Sequence, residues 1–195
     1  MREGIIARKT KETDIRLSLR LDGHGQYTGQ SGCGFLDHML DILCRHALMD
    51  LALTCQGDRQ VDDHHTVEDI GICLGQALKQ ALGDKAGIAR YGQCLLPMDE
   101  TLVLDAVDLS GRAYLAWDMQ IPADKVGSFD TELAREFFLA LVREGGITLH
   151  IRQMAGFNSH HLIEAAFKGF ARALRQAMET DARLQGRINS SKGTL

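Results

Sequence analysis

His64-His65-Thr66-Val67-Glu68-Asp69-Ile70-Gly71-Ile72-Cys73-Leu74-Gly75-Gln76-Ala77-Leu78-Lys79-Gln80-Ala81-Leu82 opens on the pattern HHxxE, and that pattern returns at His160-His161-Leu162-Ile163-Glu164. With a shift of 96 residues, His64-His65, Glu68, Ala77-Leu78 and Gln80-Ala81 fall on His160-His161, Glu164, Ala173-Leu174 and Gln176-Ala177. Apolar residues recur at helical spacing through both stretches, and Gly83 stops the first. Each motif therefore heads a long amphipathic helix, His64 to Leu82 and His160 to Thr180. Ahead of these, Phe35 to Leu48 and Leu133 to Glu144 also have helical spacing, while Ala52 to Cys55 and Ile147 to Ile151 read as strands, the second set off by Gly146. The repeated order predicts an α+β fold made of internally duplicated strand-helix-strand-helix halves, with mixed or antiparallel sheets and helices on one face.

Working outward, Ile15-Arg16-Leu17-Ser18-Leu19-Arg20-Leu21 alternates apolar with polar and ends at Asp22-Gly23, the mark of a half-buried strand before a turn. Thr101 to Val107 and Ala113 to Met119 flank Ser110-Gly111, a hairpin signature. Only Pro97 and Pro122 occur, and no linker rich in Pro, Gly or Ser divides the chain. Residues 1–195 are thus expected as a single domain of two pseudo-repeats, about 1–92 and 93–188, followed by a polar tail, 189–195. On composition alone that tail reads as disordered.

Composition sets the outer limits. A chain of 195 residues that is 45% hydrophobic can bury a proper core. A formal charge of −4 argues against a nucleic-acid partner, which calls for a basic stripe, so any bound anion must meet local basic residues. Met1-Arg2-Glu3 does not begin a signal peptide, and no apolar run approaches the roughly 20 residues that span a bilayer. The expectation is a cytoplasmic protein with no membrane partner. Cys33, Cys44, Cys55, Cys73 and Cys94 are odd in number and form no CxxC, so they read as reduced packing thiols.

The chemistry lies in the HHxxE pairs. On a helix His64 and Glu68 are one turn apart, as are His65 and Glu68, so one turn offers three ligand atoms. Imidazoles with a carboxylate suit borderline divalent ions such as Mn, Fe, Zn or Ni. Adjacent helical residues point about 100° apart, so two neighbouring histidines serve two ions more readily than one. Four imidazoles and two carboxylates buried without a cation would incur a large desolvation cost. Two metals, each taking one histidine from each motif, satisfy the pattern. Further ligands belong on the preceding helices, where His38 and Glu136 lie 26 and 24 residues ahead of the two motifs. Asp37, Asp62, Asp63 and Asp69 fit orienting or capping roles better than coordination. A dimetal phosphohydrolase and a metal-storing protein would use the same ligands.

Six stretches together resemble the imidazoleglycerol-phosphate dehydratase family over essentially the whole chain. They are Gly34-Phe35-Leu36-Asp37-His38-Met39-Leu40, Asp62-Asp63-His64-His65-Thr66 with Glu68-Asp69, Ser110-Gly111-Arg112, Thr148-Leu149-His150-Ile151, Asn158-Ser159-His160-His161 with Glu164, and Ser190-Ser191-Lys192-Gly193. The resemblance implies two Mn ions per active site, with other divalent metals admitted, at sites between subunits of a large homo-oligomer built from trimers. One ion would take His38, His65, His161 and Glu164; the other would take His64, Glu68, His160 and Glu136. The family commonly has histidine where this chain has Glu136, which makes that second set harder and more negative. It commonly has proline where this chain has Asn189, and the exchange is expected to loosen the tail slightly.

The implied reaction is dehydration of imidazole glycerol phosphate to imidazole acetol phosphate in histidine biosynthesis, via a metal-stabilised imidazolate. The hydrogen lost is barely acidic, so the metals act as Lewis acid and template. The family match places the proton shuttle on Glu12, which otherwise reads as a surface acid. Charge-assisted donors for the phosphate are Arg90, Arg112, Lys168, Ser190, Ser191 and Lys192, and the polar tail becomes a phosphate clamp. Lys168 also follows His160 and Glu164 at four-residue steps on one helix face. His46, eight residues after His38, is a further substrate contact.

Overall fold

The structure, a computed structural model, describes residues 2–195. The first half contains β1 (Glu3–Lys9), β2 (Thr13–Arg20), β3 (Tyr27–Gln30), α1 (Gly34–Ala47), β4 (Asp50–Gly57) and α2 (His64–Leu82). The second contains β5 (Tyr91–Met98), β6 (Thr101–Asp108), β7 (Tyr114–Asp118), the short β8 (Lys125–Val126) and β9 (Phe129–Asp130), α3 (Glu132–Gly145), β10 (Thr148–Ala155) and α4 (Ser159–Met178). The two four-stranded sheets have the orders β1-β2-β4-β3 and β5-β6-β10-β7. The fold is α+β with mixed sheets. β2 shows the expected alternation, Ile15, Leu17 and Leu19 facing in. Among the described residues, no helix is long and apolar enough to cross a membrane.

Two expectations are corrected. Thr101–Asp108 does not form a hairpin with the strand after Ser110-Gly111: β6 turns back on β5 through Asp99 and Glu100, and β7 runs parallel to β10. Each half also places three strands, not one, ahead of its first helix, the second half adding the short β8 and β9, while the parallel pairing of β3 with β4 and of β7 with β10 makes the sheets mixed, one of the two arrangements expected. The reason is that the first and third strands carry weak signals. β1 and β5 lie at sheet edges, and β5 is exposed or half-buried along its length and contains Gly92 and Pro97.

The repeated residues have specific tasks. A Cβ on Gly4 would lie 2.1 Å from the Ala77 carbonyl oxygen, and one on Gly92 would lie 1.9 Å from that of Ala173. Glycine thus lets α2 and α4 lie backbone-close on β1 and β5. One residue on, the amides of Ile5 and Gln93 donate to the side-chain oxygens of Gln80 and Gln176, at 3.0 and 3.1 Å. The duplicated Ala-Leu and Gln-Ala pairs are therefore the seams between each second helix and its edge strand.

Helices of one half pack on helices of the other, α2 on α3 and α1 on α4, while α2 covers β1 and β2 and α4 covers β5 and β6. Through the molecule the order is sheet, helices, helices, sheet, and one hydrophobic core draws on both halves. Phe137, Phe138, Phe167 and Phe170 stack at its centre; each contributes about 1.5–3 kcal/mol by burial. The tail is pinned where it leaves the core. Asn189 donates its side-chain amide to the Ala89 carbonyl at 2.9 Å, and its own carbonyl accepts from Arg90 at 2.9 Å. The expected loosening at Asn189 is thus offset by a hydrogen bond proline lacks.

Candidate active site

α4 begins at Asn158, whose side-chain oxygen accepts from the amides of His160 and His161 at 3.0 and 3.3 Å. This cap fixes where the two imidazoles leave the helix. His160 Nε2 lies 3.0 Å from a Glu164 carboxylate oxygen, one turn on, and His38 Nε2 on α1 lies 3.5 Å from the same oxygen. The other Glu164 oxygen is ion-paired with Lys168. Donor atoms of His38, His160 and Glu164 fall within 4.8 Å of one another, the one such convergence of three metal-type side chains among the described residues. Burial pushes the Glu164 carboxyl up, but Lys168, His160 and His38 outweigh it and hold it below its ordinary value. An ionised, largely buried carboxylate facing two imidazoles is a donor set that fits a borderline divalent cation.

The second histidine of each pair is held differently. His65 Nδ1 is 2.9 Å from Asp58 Oδ2, and His65 Nε2 is 3.8 Å from Glu12 Oε1, which stands half-exposed on the β1–β2 turn. His161 Nδ1 is 2.9 Å from Glu100 Oε2, and its Nε2 is 4.0 Å from Asp99 on the β5–β6 turn. These hydrogen bonds raise both imidazoles above their ordinary values, with burial opposing. The His161 hydrogen bond in turn brings Glu100 down to about 2. Asp58 and Glu100 escaped the sequence reading. Asp58 precedes its partner by seven residues and Glu100 lies 61 away, so neither spacing follows a helical rule.

The remaining candidates lie apart from that convergence within one chain. His64 is placed by its amide donating to Asp62 at 2.8 Å, Glu68 faces Arg143 at 3.5 Å, and Glu136 pairs with Arg135 at 3.0 Å. His160 sits with His38 and Glu164, whereas the resemblance grouped it with His64, Glu68 and Glu136. His46 lines a cavity of about 190 Å³ with Arg172 and Arg175; burial lowers its imidazole, and Lys168 and Arg172 add to this.

Arg90 is bidentate on Asp108, at 2.7 and 3.1 Å, and stacks over Tyr91. Ser190 and Ser191 line a cavity of about 740 Å³ with Arg90, whereas Lys192 and the exposed Arg112 line another of about 460 Å³. Both cavities belong to the far end of the molecule. The Arg90 amide bonds the carbonyl of Ala177, thirteen residues along α4 from Glu164, or about 20 Å at helical rise.

Residues 31–174 match the family model described as imidazoleglycerol-phosphate dehydratase. Among curated proteins, the chain is 62% identical to the imidazoleglycerol-phosphate dehydratase of Roseobacter denitrificans and 60% identical to that of Dinoroseobacter shibae, each over 100% of both chains. Among solved structures, it is similar to imidazoleglycerol-phosphate dehydratase from Staphylococcus aureus, with a TM-score of 0.84 and 41% identity, covering 92% of this chain and 99% of that one. It is likewise similar to the Pyrococcus furiosus enzyme in complex with (S)-C348, with a TM-score of 0.84 and 38% identity, covering 97% and 100%.

Proposed function

Since the chain belongs to the imidazoleglycerol-phosphate dehydratase family, lyases of the dehydration step in histidine biosynthesis, we propose that it converts imidazole glycerol phosphate to imidazole acetol phosphate with two divalent ions, manganese first among them. The observation that carries the metal reading is the approach of His38 and Glu164, ligands of one ion in this reading, to His160, a ligand of the other, with donor atoms all within 4.8 Å of one another. Two such ions would supply Lewis acidity at the substrate's imidazole nitrogens, lowering the cost of deprotonating the ring. One would be held by His38, His65, His161 and Glu164, the other by His64, Glu68, Glu136 and His160. Glu12, whose exposed carboxylate lies 3.8 Å from His65 Nε2, would take a proton from the reacting carbon and give one to the departing hydroxyl. Lys168 helps to hold the Glu164 carboxyl below its ordinary value, burial lowers the nearby His46 imidazole, and both side chains would meet substrate oxygens.

The phosphate would be held by Arg90, Arg112, Ser190, Ser191 and Lys192. In one chain these lie at the opposite end of α4 from Glu164, a span of about 20 Å. That separation exceeds the length of one small substrate and supports active sites shared between subunits of a homo-oligomer built from trimers, in the cytoplasm. We read the chain as one domain of two pseudo-repeats, about 1–92 and 93–188, supported by the equal sheet orders and the matching Gly4/Gly92 and Gln80/Gln176 seams.

The decisive assay is turnover of imidazole glycerol phosphate by manganese-reconstituted protein, following ketone and inorganic phosphate together. Ketone with phosphate retained is expected. No turnover at full metal loading, or release of inorganic phosphate, would overturn the proposal.

A further inference from the structure

Two carboxylates outside the ligand set contact the imidazoles of the second histidines. Asp58 Oδ2 and Glu100 Oε2 each stand 2.9 Å from Nδ1, of His65 and His161 respectively. An ionised carboxylate only accepts hydrogen bonds, so each Nδ1 must carry the proton and each Nε2 presents its lone pair. We propose that Asp58 and Glu100 are positioning residues that lock His65 and His161 as Nε2 ligands of one and the same ion. This rests on the reading that both histidines bind metal.

Glu100 is held from both of its oxygens, whereas Asp58 is held through His65 alone, its other oxygen buried without a partner. The other Glu100 oxygen accepts from the Asn158 amide at 3.1 Å and the Thr101 hydroxyl at 3.0 Å, tying the β5–β6 turn to the start of α4. Asp58 lies between β4 and α2, and its side chain is 14% exposed. The two come from non-corresponding places in the halves, since the first-half turn that matches the site of Glu100 carries Glu12, which faces His65 from the Nε2 side. The same geometry is thus reached by separate routes. Neither His64 nor His160 has a carboxylate at Nδ1, so the device marks His65 and His161 as a matched pair. Anchors of this kind fix the tautomer and ring direction of metal-binding histidines, and losing one typically costs about 10–100-fold in metal affinity.

The tests are Glu100→Gln and Asp58→Asn. Gln keeps an oxygen for Asn158 and Thr101 but can turn its amide N–H towards His161, which moves the imidazole proton to Nε2. Manganese titration of the intact oligomer, with free ion counted by electron paramagnetic resonance, is expected to show one class of site weakened about 10–100-fold and the other unchanged. Nitrogen-15 spectra of histidine-labelled, metal-free wild type at alkaline pH are expected to show Nδ1–H for two imidazoles, assigned by their loss in His65→Ala and His161→Ala. That measurement needs no carboxylate variant to fold. Nε2–H tautomers in wild type, or unchanged manganese affinity in both carboxylate variants, would overturn the proposal. If His65→Ala and His161→Ala themselves keep both ions at full affinity, the ligand reading fails, and the positioning role with it. Loss of an ion there with no effect of Asp58→Asn or Glu100→Gln isolates the failure to the positioning role.

Discussion

Replacing Asp105 with leucine is expected to stabilise the protein at neutral pH. Asp105 faces inward on β6 and is fully buried, and neither carboxylate oxygen has a hydrogen-bond partner. Burial alone raises its pKa well above the ordinary 3.8. The β1–β2 and β5–β6 registers, aligned on Gly4 and Gly92, put Leu17 at the matching place in the first half, so the position is one where the fold accepts leucine. Leucine has the same number of side-chain heavy atoms, and the cost of a buried unsatisfied polar group is about 1–3 kcal/mol. A gain of that size raises Tm by roughly 2–4 °C per kcal/mol in a chain of this length. The bulkier methyls press on Gly169, where a Cβ would already lie 1.9 Å from Asp105 Oδ2, and this removes part of the gain.

The pH dependence gives a second reading of the same group. Below 3.8 the carboxyl is protonated in both folded and unfolded chains, so the wild-type deficit is smallest. Above it the unfolded chain releases the proton while the folded chain retains it; the deficit grows until the pH passes the raised folded value, then levels off. Asp105→Asn keeps the shape and polarity but cannot ionise, and should remove the pH dependence. Reversible urea unfolding, followed by Trp117 fluorescence and circular dichroism across pH, measures both. A leucine variant less stable by more than about 1 kcal/mol at neutral pH, or a gap independent of pH, would refute the reasoning.

Glu12→Gln should reduce turnover at least about 10²-fold while metal content, read by elemental analysis, stays at the wild-type level; loss of metal would count against the shuttle role. Chelation should lower Tm and abolish turnover, and manganese at about 100 times its Kd should restore about 2.7 kcal/mol per site, read by calorimetry. Gly92→Ala places a methyl 1.9 Å from the Ala173 carbonyl oxygen and should destabilise by about 1–3 kcal/mol in urea melts. Glu136→His should shift preference from manganese towards zinc or nickel by roughly tenfold, about 1.4 kcal/mol, in competitive titration. An unchanged selectivity would remove Glu136 from the ligand set.

The sequence made the second helices legible because duplicated residues at fixed spacing survive every change of surroundings. HHxxE, Ala-Leu and Gln-Ala each answer to a local task, whether facing a site or closing a seam on an edge strand. β1, β3 and β5 left weaker marks, since an edge strand buries little and its pairing depends on partners distant in the chain. The same limit hid Asp58 and Glu100. An acid that orients an imidazole needs only a hydrogen-bonding distance, which turns and loops can supply from anywhere.

The halves differ most where the motifs coincide. Glu164 is 9% exposed and neutralised from its own helix by Lys168, whereas Glu68 is 33% exposed and faces Arg143 from α3. The residue that matches Lys168 under the repeat is Ile72, buried in the core, so the first half cannot supply its cation along the helix. The preceding helices diverge in the same sense, with His38 against Glu164 and Glu136 paired to Arg135. On α4 one face runs from ligand to cation, as a charged substrate lying along it requires. On α2 that face returns to the core after one turn. Under the proposed function the repeated motif would therefore take two unequal roles, α4 meeting substrate and α2 holding its ion alone.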